Sequence, residues 1–359
     1  MLASLLILII SLFILLKASE MLVDSSVSIA RFYGVTEFFI GSTIIALGTS
    51  LPELASSISA ALSKHTGIVL GNVVGSNITN ITLILGVASI LITMNIKQVY
   101  FEKKTNFLIA ITVLFFIVSL DRAITFIEGM FFLVIFVYYL YRQHKEMPKT
   151  TEVKLRKLLD GLFGDKLSLK DLTQEEKDIL RHIDYKTSRH LREKGIDITK
   201  ILERSHFFRG GKYFGAVILS IAGIILSAKY LVISVVSFAQ MINISEEIIA
   251  MSIVAFGTSI PELAVTFTSA RKHLPNILIG NLIGSNIANL LLVAGISSLI
   301  TPLIISPFSI WFIMPFMIVS TIMLRNYIRT KWMSRLFEGF VFLFFYAIFL
   351  FFLFLSSGF

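Results

Sequence analysis

The chain has 359 residues, 55% of them hydrophobic and only 15% Asp, Glu, Lys or Arg, against about 45–50% and about 25% in ordinary soluble domains. Its mean hydropathy of +0.83 and its apolar stretches near the ~20 residues that cross a bilayer exclude a wholly soluble enzyme. The absence of Cys removes disulfides, thiolate nucleophiles and Cys-ligated metals, and the six His show no paired ligand spacing.

Apolar spans are predicted at about 2–23, 36–62, 68–93, 106–120, 124–141, 213–239, 248–270, 276–300, 305–324 and 337–356. The first lacks a basic leader and a small-residue cleavage site, so it reads as a membrane helix and not a signal peptide. The expected architecture is an all-α integral membrane protein of ten helices, arranged as two five-helix halves, 1–141 and 213–359, around a polar insert at 142–212. The insert reads as a small cytoplasmic helical segment, with Thr173 and Glu176 forming a capping box. Asp160 to Asp165 resembles the start of a calcium loop, but Leu162 and Gly164 stand where oxygen ligands belong.

The formal charge of +9 does not call for nucleic acid, because the basic residues are unevenly spread. With the N-terminus outside, 28 Lys and Arg face the cytoplasm, 18 of them in the insert, and only Lys64 and Arg122 face outward. The positive-inside rule then places both termini outside and 142–212 in the cytoplasm, in a protein of the cell membrane with some affinity for anionic lipid. No partner for the insert can be read from its residues.

Residues 41–90 align without a gap on 250–299, at a constant offset of 209, with 21 identities in 50 positions. Five predicted spans separate the copies. Since five is odd, the two halves enter the membrane in opposite directions, the pattern of an inverted-repeat secondary transporter.

Each copy places Gly-Thr-Ser-Leu/Ile-Pro-Glu in mid-span, as Gly48 to Glu53 and Gly257 to Glu262. A carboxylate near the bilayer centre costs several kcal/mol on insertion scales and marks an ion or substrate path. Pro52 and Pro261 have no N–H for the carbonyls of Gly48 and Gly257, so each helix is expected to bend or break one turn before its Glu. Ala46, Thr49, Ser50 and Glu53 share one helical face, as do Ala255, Thr258, Ser259 and Glu262. Such hard oxygen donors suit Ca²⁺ or Na⁺.

The next helix of each copy supplies a second wall. Gly71/Gly75 and Gly280/Gly284 are small-residue pairs that permit close helix approach. Asn72, Ser76 and Asn80 form a polar stripe repeated by Asn281, Ser285 and Asn289, with Asn80 and Asn289 at its centre. Asn77 and Asn286 lie off that stripe, either as further lining or as donors to helix backbone. Glu20, Asp24 and Lys229, near span ends or outside the repeat symmetry, are expected to snorkel or pair.

At these residues the sequence resembles the cation/Ca²⁺ exchanger superfamily, and most of all its prokaryotic Na⁺/Ca²⁺ exchangers. The resemblance implies a secondary active transporter, not an enzyme, that exchanges Na⁺ for Ca²⁺ by alternating access and needs no cofactor besides the transported ions. It implies Ca²⁺ ligands at Glu53, Glu262, Thr49 and Thr258. Na⁺ ligands would draw on Ala46, Ser50, Ser76, Ala255, Ser259 and Ser285 together with the two glutamates. One departure is Asn289, where several relatives carry an acid, which argues against K⁺ dependence. H⁺/Ca²⁺ exchange remains the alternative, since buried carboxylates can carry protons; a passive cation channel and a membrane sensor signalling through the insert are further rivals.

Overall fold

The computed structural model describes residues 2–33, 35–91, 98–145, 206–241, 257–329 and 335–356, and nearly all of them are helical. Helix α1 is Leu2–Tyr33. Thr36 opens the next span by accepting a hydrogen bond from the Phe39 N–H at 3.1 Å, after which α2 (Glu37–Ile40), a π-helical turn (Gly41–Ile45) and α3 (Ala46–Thr49) run together. The chain then bends by 41° into α4, Leu51–Leu62. Helix α5 (Thr66–Thr79) passes through a π turn at Asn80–Ile84 into α6 (Leu85–Leu91), and α7 (Gln98–Val118) and α8 (Phe126–Lys145) complete the first half.

The second half comprises α9 (His206–Met241), α10 (Ile260–Arg271), α11 (Pro275–Ala288), a π turn at Asn289–Val293, α12 (Ala294–Ile300), α13 (Met314–Arg329, entered by a π turn at Ser309–Ile313) and α14 (Arg335–Ser356). Strands β1 (Ala123–Ile124) and β2 (Leu303–Ile304) pair antiparallel, Ala123 opposite Ile304, and pin the α7–α8 connection to the one after α12. Helix α8 runs on to Lys145 and α9 begins at His206. The predicted insert's capping box at Thr173 and its Asp160–Asp165 segment lie outside the described residues.

Seven of these helices are long and apolar enough to cross a bilayer, and the bent pair makes an eighth if it is one span. Predicted span 337–356 appears as a helix with a shorter apolar run, Phe337–Leu353. Predicted span 248–270 is described only from Gly257 onward. The chain is therefore a membrane protein.

The helices α5–α6 and α11–α12 are innermost: 83% and 94% of their apolar windows are buried, against 28% for α1. That order follows from composition, because α1 turns Leu6, Ile9 and Phe13 outward, as a lipid-facing helix does. Helix α11 lies directly against the α2–α3 segment, and glycine makes this approach feasible. A Cβ at Gly284 would stand 2.6 Å from the Ser42 carbonyl oxygen, and one at Gly280 would stand 2.8 Å from that of Phe38. At Gly71, the equivalent of Gly280, a Cβ would meet nothing within 4 Å among the described residues.

The 209-residue offset reappears in the backbone. Ser50 (φ −85°, ψ 5°) and Ser259 (φ −89°, ψ 2°) interrupt their helices alike, Asn80 and Asn289 each begin a π turn, and Lys64 and His273 both turn the chain at positive φ. The two copies differ in cover. Helix α1 packs along α9 and also along α10, where Ser19 and Thr268 share a buried 2.6 Å hydrogen bond. Lys272 pairs with Asp24, and Arg271 lies 3.8 Å from Glu20. Ile260, Ala264 and Thr268 of α10 are consequently buried, whereas their equivalents on α4, Leu51, Ala55 and Ser59, are exposed.

Candidate ion-binding site

The interruption at Ser50 has the local cause expected of Pro52. Proline offers no N–H to the Gly48 carbonyl, so the first helix ends and a new one starts with Pro52 in its opening turn, where a missing N–H costs nothing. Pro261 does the same for α10. Glu53 and Glu262 thereby fall in the first turn of a fresh helix, where unpaired N–H groups and the helix dipole favour negative charge. Both side chains are fully buried.

Across from each glutamate stands the polar wall of the other copy. Thr49 Oγ1 donates within hydrogen-bonding range of its own Ala46 carbonyl (3.3 Å) and of Asn281 Oδ1 (3.3 Å), and lies 3.4 Å from Ser285 Oγ. Its equivalent, Thr258, donates to Asn72 Oδ1 at 3.1 Å. Ser50 Oγ donates to Glu262 Oε1 at 3.4 Å, while Thr258 lies beside the Glu53 carboxylate. Thr49, Ser50 and Glu53 thus lie together with Thr258 and Glu262, which come from more than 200 residues further along the chain.

The polar stripes of α5 and α11 also face inward, and Asn72, Ser76, Asn80, Asn281, Ser285 and Asn289 are all buried, as are Ala46 and Ser259. The Asn72 amide donates to the Glu53 backbone carbonyl (3.0 Å) and to Ser57 Oγ (2.9 Å). Asn77 resolves to a backbone donor, bonding Val73 O at 2.7 Å. Asn286 instead joins the centre: it accepts from Asn80 Nδ2 at 2.9 Å and donates to Asn77 O at 3.4 Å. Ala255 lies outside the described residues.

Many buried polar atoms here have no hydrogen-bond partner: both oxygens of Glu53, Oε2 of Glu262, Ser76 Oγ, Asn80 Oδ1, and both amide atoms of Asn289. Each such atom costs about 1–3 kcal/mol, and folded proteins tolerate few of them. Their concentration around two carboxylates suits a cation that supplies the missing partners. No group of three or more His, Cys, Asp or Glu stands together among the described residues, so the donor set is two carboxylates with hydroxyl, amide and carbonyl oxygens. That set fits Ca²⁺ and Na⁺ better than a softer metal.

Sequence reasoning passed over Ser57, one turn beyond Glu53, and the four π turns that begin at Gly41, Asn80, Asn289 and Ser309. The signal for Ser57 was present, because the second copy also carries a hydroxyl there, Thr266. Outside the site, Glu20 and Asp24 are paired as expected, and Lys229 is exposed.

Comparison with known proteins gives the same direction. The family model for the sodium/calcium exchanger protein matches residues 3–145 and 212–355. The sodium/calcium exchanger MaX1 of Methanosarcina acetivorans is 36% identical over 348 residues, covering 96% of this chain and 97% of its own. The inner membrane protein YrbG of Escherichia coli is 28% identical, covering 84% and 81%. Among solved structures, the sodium-calcium exchanger NCX_Mj soaked with 10 mM Na⁺ and zero Ca²⁺ superposes with a TM-score of 0.73 at 23% identity, over 96% of this chain and 97% of that one. Two buried glutamates on paired helix breaks, a repeat visible in both sequence and backbone, and these matches lead to one conclusion: the chain belongs to the sodium/calcium exchanger family.

Proposed function

We propose that this protein exchanges Na⁺ for Ca²⁺ across the cell membrane by alternating access, normally expelling Ca²⁺ as Na⁺ enters. The observation that carries the reading is the burial of Glu53 and Glu262 with three of their four carboxylate oxygens unpartnered. Two ionised carboxylates are balanced by one Ca²⁺ or by two Na⁺, so the ions exclude one another at a shared site. A vacant, doubly negative site resists moving across the membrane, and this couples the two fluxes without covalent chemistry. Ca²⁺ takes Glu53, Glu262, Thr49 and Thr258. Na⁺ shares the glutamates and adds Ala46, Ser50, Ser76, Ala255, Ser259 and Ser285, with Asn80 and Asn289 at the centre and Asn72 and Asn281 as lining.

Ten spans in two inverted five-helix halves provide the two arrangements of access. The helix breaks at Ser50 and Ser259 and the paired π turns support that symmetry. Both termini are placed outside and 142–212 in the cytoplasm on the charge distribution. The test is ⁴⁵Ca²⁺ uptake into Na⁺-loaded proteoliposomes, with K⁺-loaded and pH-jump controls. Uptake that requires internal Na⁺ supports the reading. Accumulation driven equally well by a pH gradient without Na⁺ would replace it with H⁺/Ca²⁺ exchange, and non-saturable flux without counter-ion would indicate a channel.

A further inference from the structure

The two copies present the same asparagine to the site but hold it differently. In the first, the Asn72 amide spends both N–H groups, one on the Glu53 carbonyl and one on Ser57 Oγ. Its oxygen is thereby turned to Thr258, whose hydroxyl donates to it at 3.1 Å. In the second, Asn281 Oδ1 receives Thr49, but Asn281 Nδ2 has no partner, and neither has Oγ1 of Thr266, the equivalent of Ser57. Ser57, Asn72, Asn281 and Thr266 are all buried, so water does not make up the difference for free.

The orientation of this amide decides what Thr258 offers a cation. A threonine hydroxyl has one proton and two lone pairs. When Asn72 Oδ1 takes the proton, the lone pairs remain for an ion beside Glu53. When the amide is turned end for end, its N–H groups face the Thr258 oxygen and compete with the ion for those lone pairs. The Glu53 carbonyl can only accept, and the Ser57 hydroxyl, which can also donate, here accepts the second N–H, so together they favour the end that turns the Asn72 oxygen to Thr258.

We infer that Ser57 is a positioning residue of the cation site, acting through Asn72 to keep the Thr258 hydroxyl oxygen available to Ca²⁺. Its second-copy equivalent, Thr266, has no such role. This rests on the reading of Glu53 and Thr258 as Ca²⁺ ligands. Ser57 does not touch the ion, and its loss leaves both carboxylates in place.

The experiment compares Ser57→Val with Ser57→Thr in the full-length protein, since the two side chains have the same shape and differ in the hydroxyl. Thr266→Val is the control in the other copy. Na⁺-driven ⁴⁵Ca²⁺ uptake into proteoliposomes gives the half-saturating Ca²⁺ concentration, and equilibrium ⁴⁵Ca²⁺ binding to purified protein gives the same comparison without transport. S57V should weaken Ca²⁺ about ten-fold, the effect of one lost hydrogen bond, with thermal stability near that of S57T. S57T and T266V should stay within about two-fold of the parent. Equal Ca²⁺ affinity in S57V and S57T overturns the inference, as does a loss in T266V as large as that in S57V. If S57V does not purify, Ser57→Ala is measured against S57T under the same criteria. Failure of the parent to take up Ca²⁺ on a Na⁺ gradient would count against the exchange reading alone, because the binding arm still decides the role of Ser57.

Discussion

Thr49 and Asn281, 232 positions apart in the chain, share a buried hydrogen bond of 3.3 Å, and Thr258 and Asn72 repeat it at 3.1 Å. Each copy of the repeat therefore uses the amide of the other to direct a threonine hydroxyl. The site belongs to neither half alone. Changes on one side should be felt as changes in ion affinity and not merely as local repacking.

The two glutamates give the sharpest expectation. Glu53→Gln and Glu262→Gln should each reduce Na⁺-driven Ca²⁺ uptake by at least about 100-fold, because each removes half the charge that compensates a desolvated divalent ion. Neither should unfold the protein, since an amide of equal size is easier to bury than an uncompensated charge. Uptake assays together with thermal unfolding in detergent check both parts, and near-normal exchange in either variant would remove that residue from the site.

The serines on the second wall should behave differently. Ser76 Oγ has no partner and Ser285 Oγ lies 3.4 Å from Thr49 Oγ1, and both are assigned to Na⁺ alone. Ser76→Ala and Ser285→Ala should raise the Na⁺ concentration needed for half-maximal exchange by about three- to ten-fold while changing the Ca²⁺ requirement less. The measurement is a Na⁺ titration of uptake at fixed external Ca²⁺. An equal or larger effect on Ca²⁺ would place these hydroxyls in the Ca²⁺ shell.

Backbone proximity yields a prediction about stability. Gly284→Ala puts a methyl group 2.6 Å from the Ser42 carbonyl oxygen, a backbone atom that cannot swing aside, and should destabilise the protein by about 1–3 kcal/mol. Gly71→Ala adds the same group where none of the described residues lies within 4 Å and should be neutral or slightly stabilising through helix propensity. Unfolding temperatures of the two variants decide this, and a G71A loss matching that of G284A would show that α5 is approached as closely as α11.

The coupling ratio follows from the surplus of neutral oxygens. Thr49, Ser50, Thr258, Ser259 and the helix-break carbonyls outnumber the two carboxylates, an excess that protons do not need and several weakly held Na⁺ ions do. Exchange of more than two Na⁺ per Ca²⁺ is expected, so an imposed membrane potential should change the rate and equilibrium. A third Na⁺ moves one net charge, worth about 2.3 kcal/mol per 100 mV. Potential-independent exchange with a clear Na⁺ requirement would limit the count to two.

The parts of this site legible in the sequence were those fixed by covalent geometry or by short-range period. Pro52 and Pro261 forecast the helix breaks because the missing N–H is a property of the residue itself. Thr49, Ser50 and Glu53 forecast one another because a single helical face relates them. Asn286 escaped, since a wheel drawn at constant pitch sets it beside the stripe, whereas Asn80 reaches it across the centre at the very residue where its own helix widens into a π turn. Ser57 escaped for a related reason: its role comes from Asn72 on the next helix, 15 positions away. Glu20 was legible as paired through Lys17, three positions before it, whereas Asp24 pairs with Lys272, 248 positions away, and only the fold brings those two together.

The unequal cover of α4 and α10 has a chemical consequence for anyone who wants to watch this protein turn over. Ala55 is exposed and its repeat equivalent Ala264 is buried under α1, and the chain contributes no thiol of its own. A single cysteine at either position is then the protein's one thiol, and a membrane-permeant alkylating reagent should reach position 55 sooner than position 264 in the arrangement described above. If the halves trade places during exchange, the two rates should move in opposite directions as Na⁺ or Ca²⁺ is added, giving a two-site clock for the conformational cycle that needs neither a flux measurement nor a second structure.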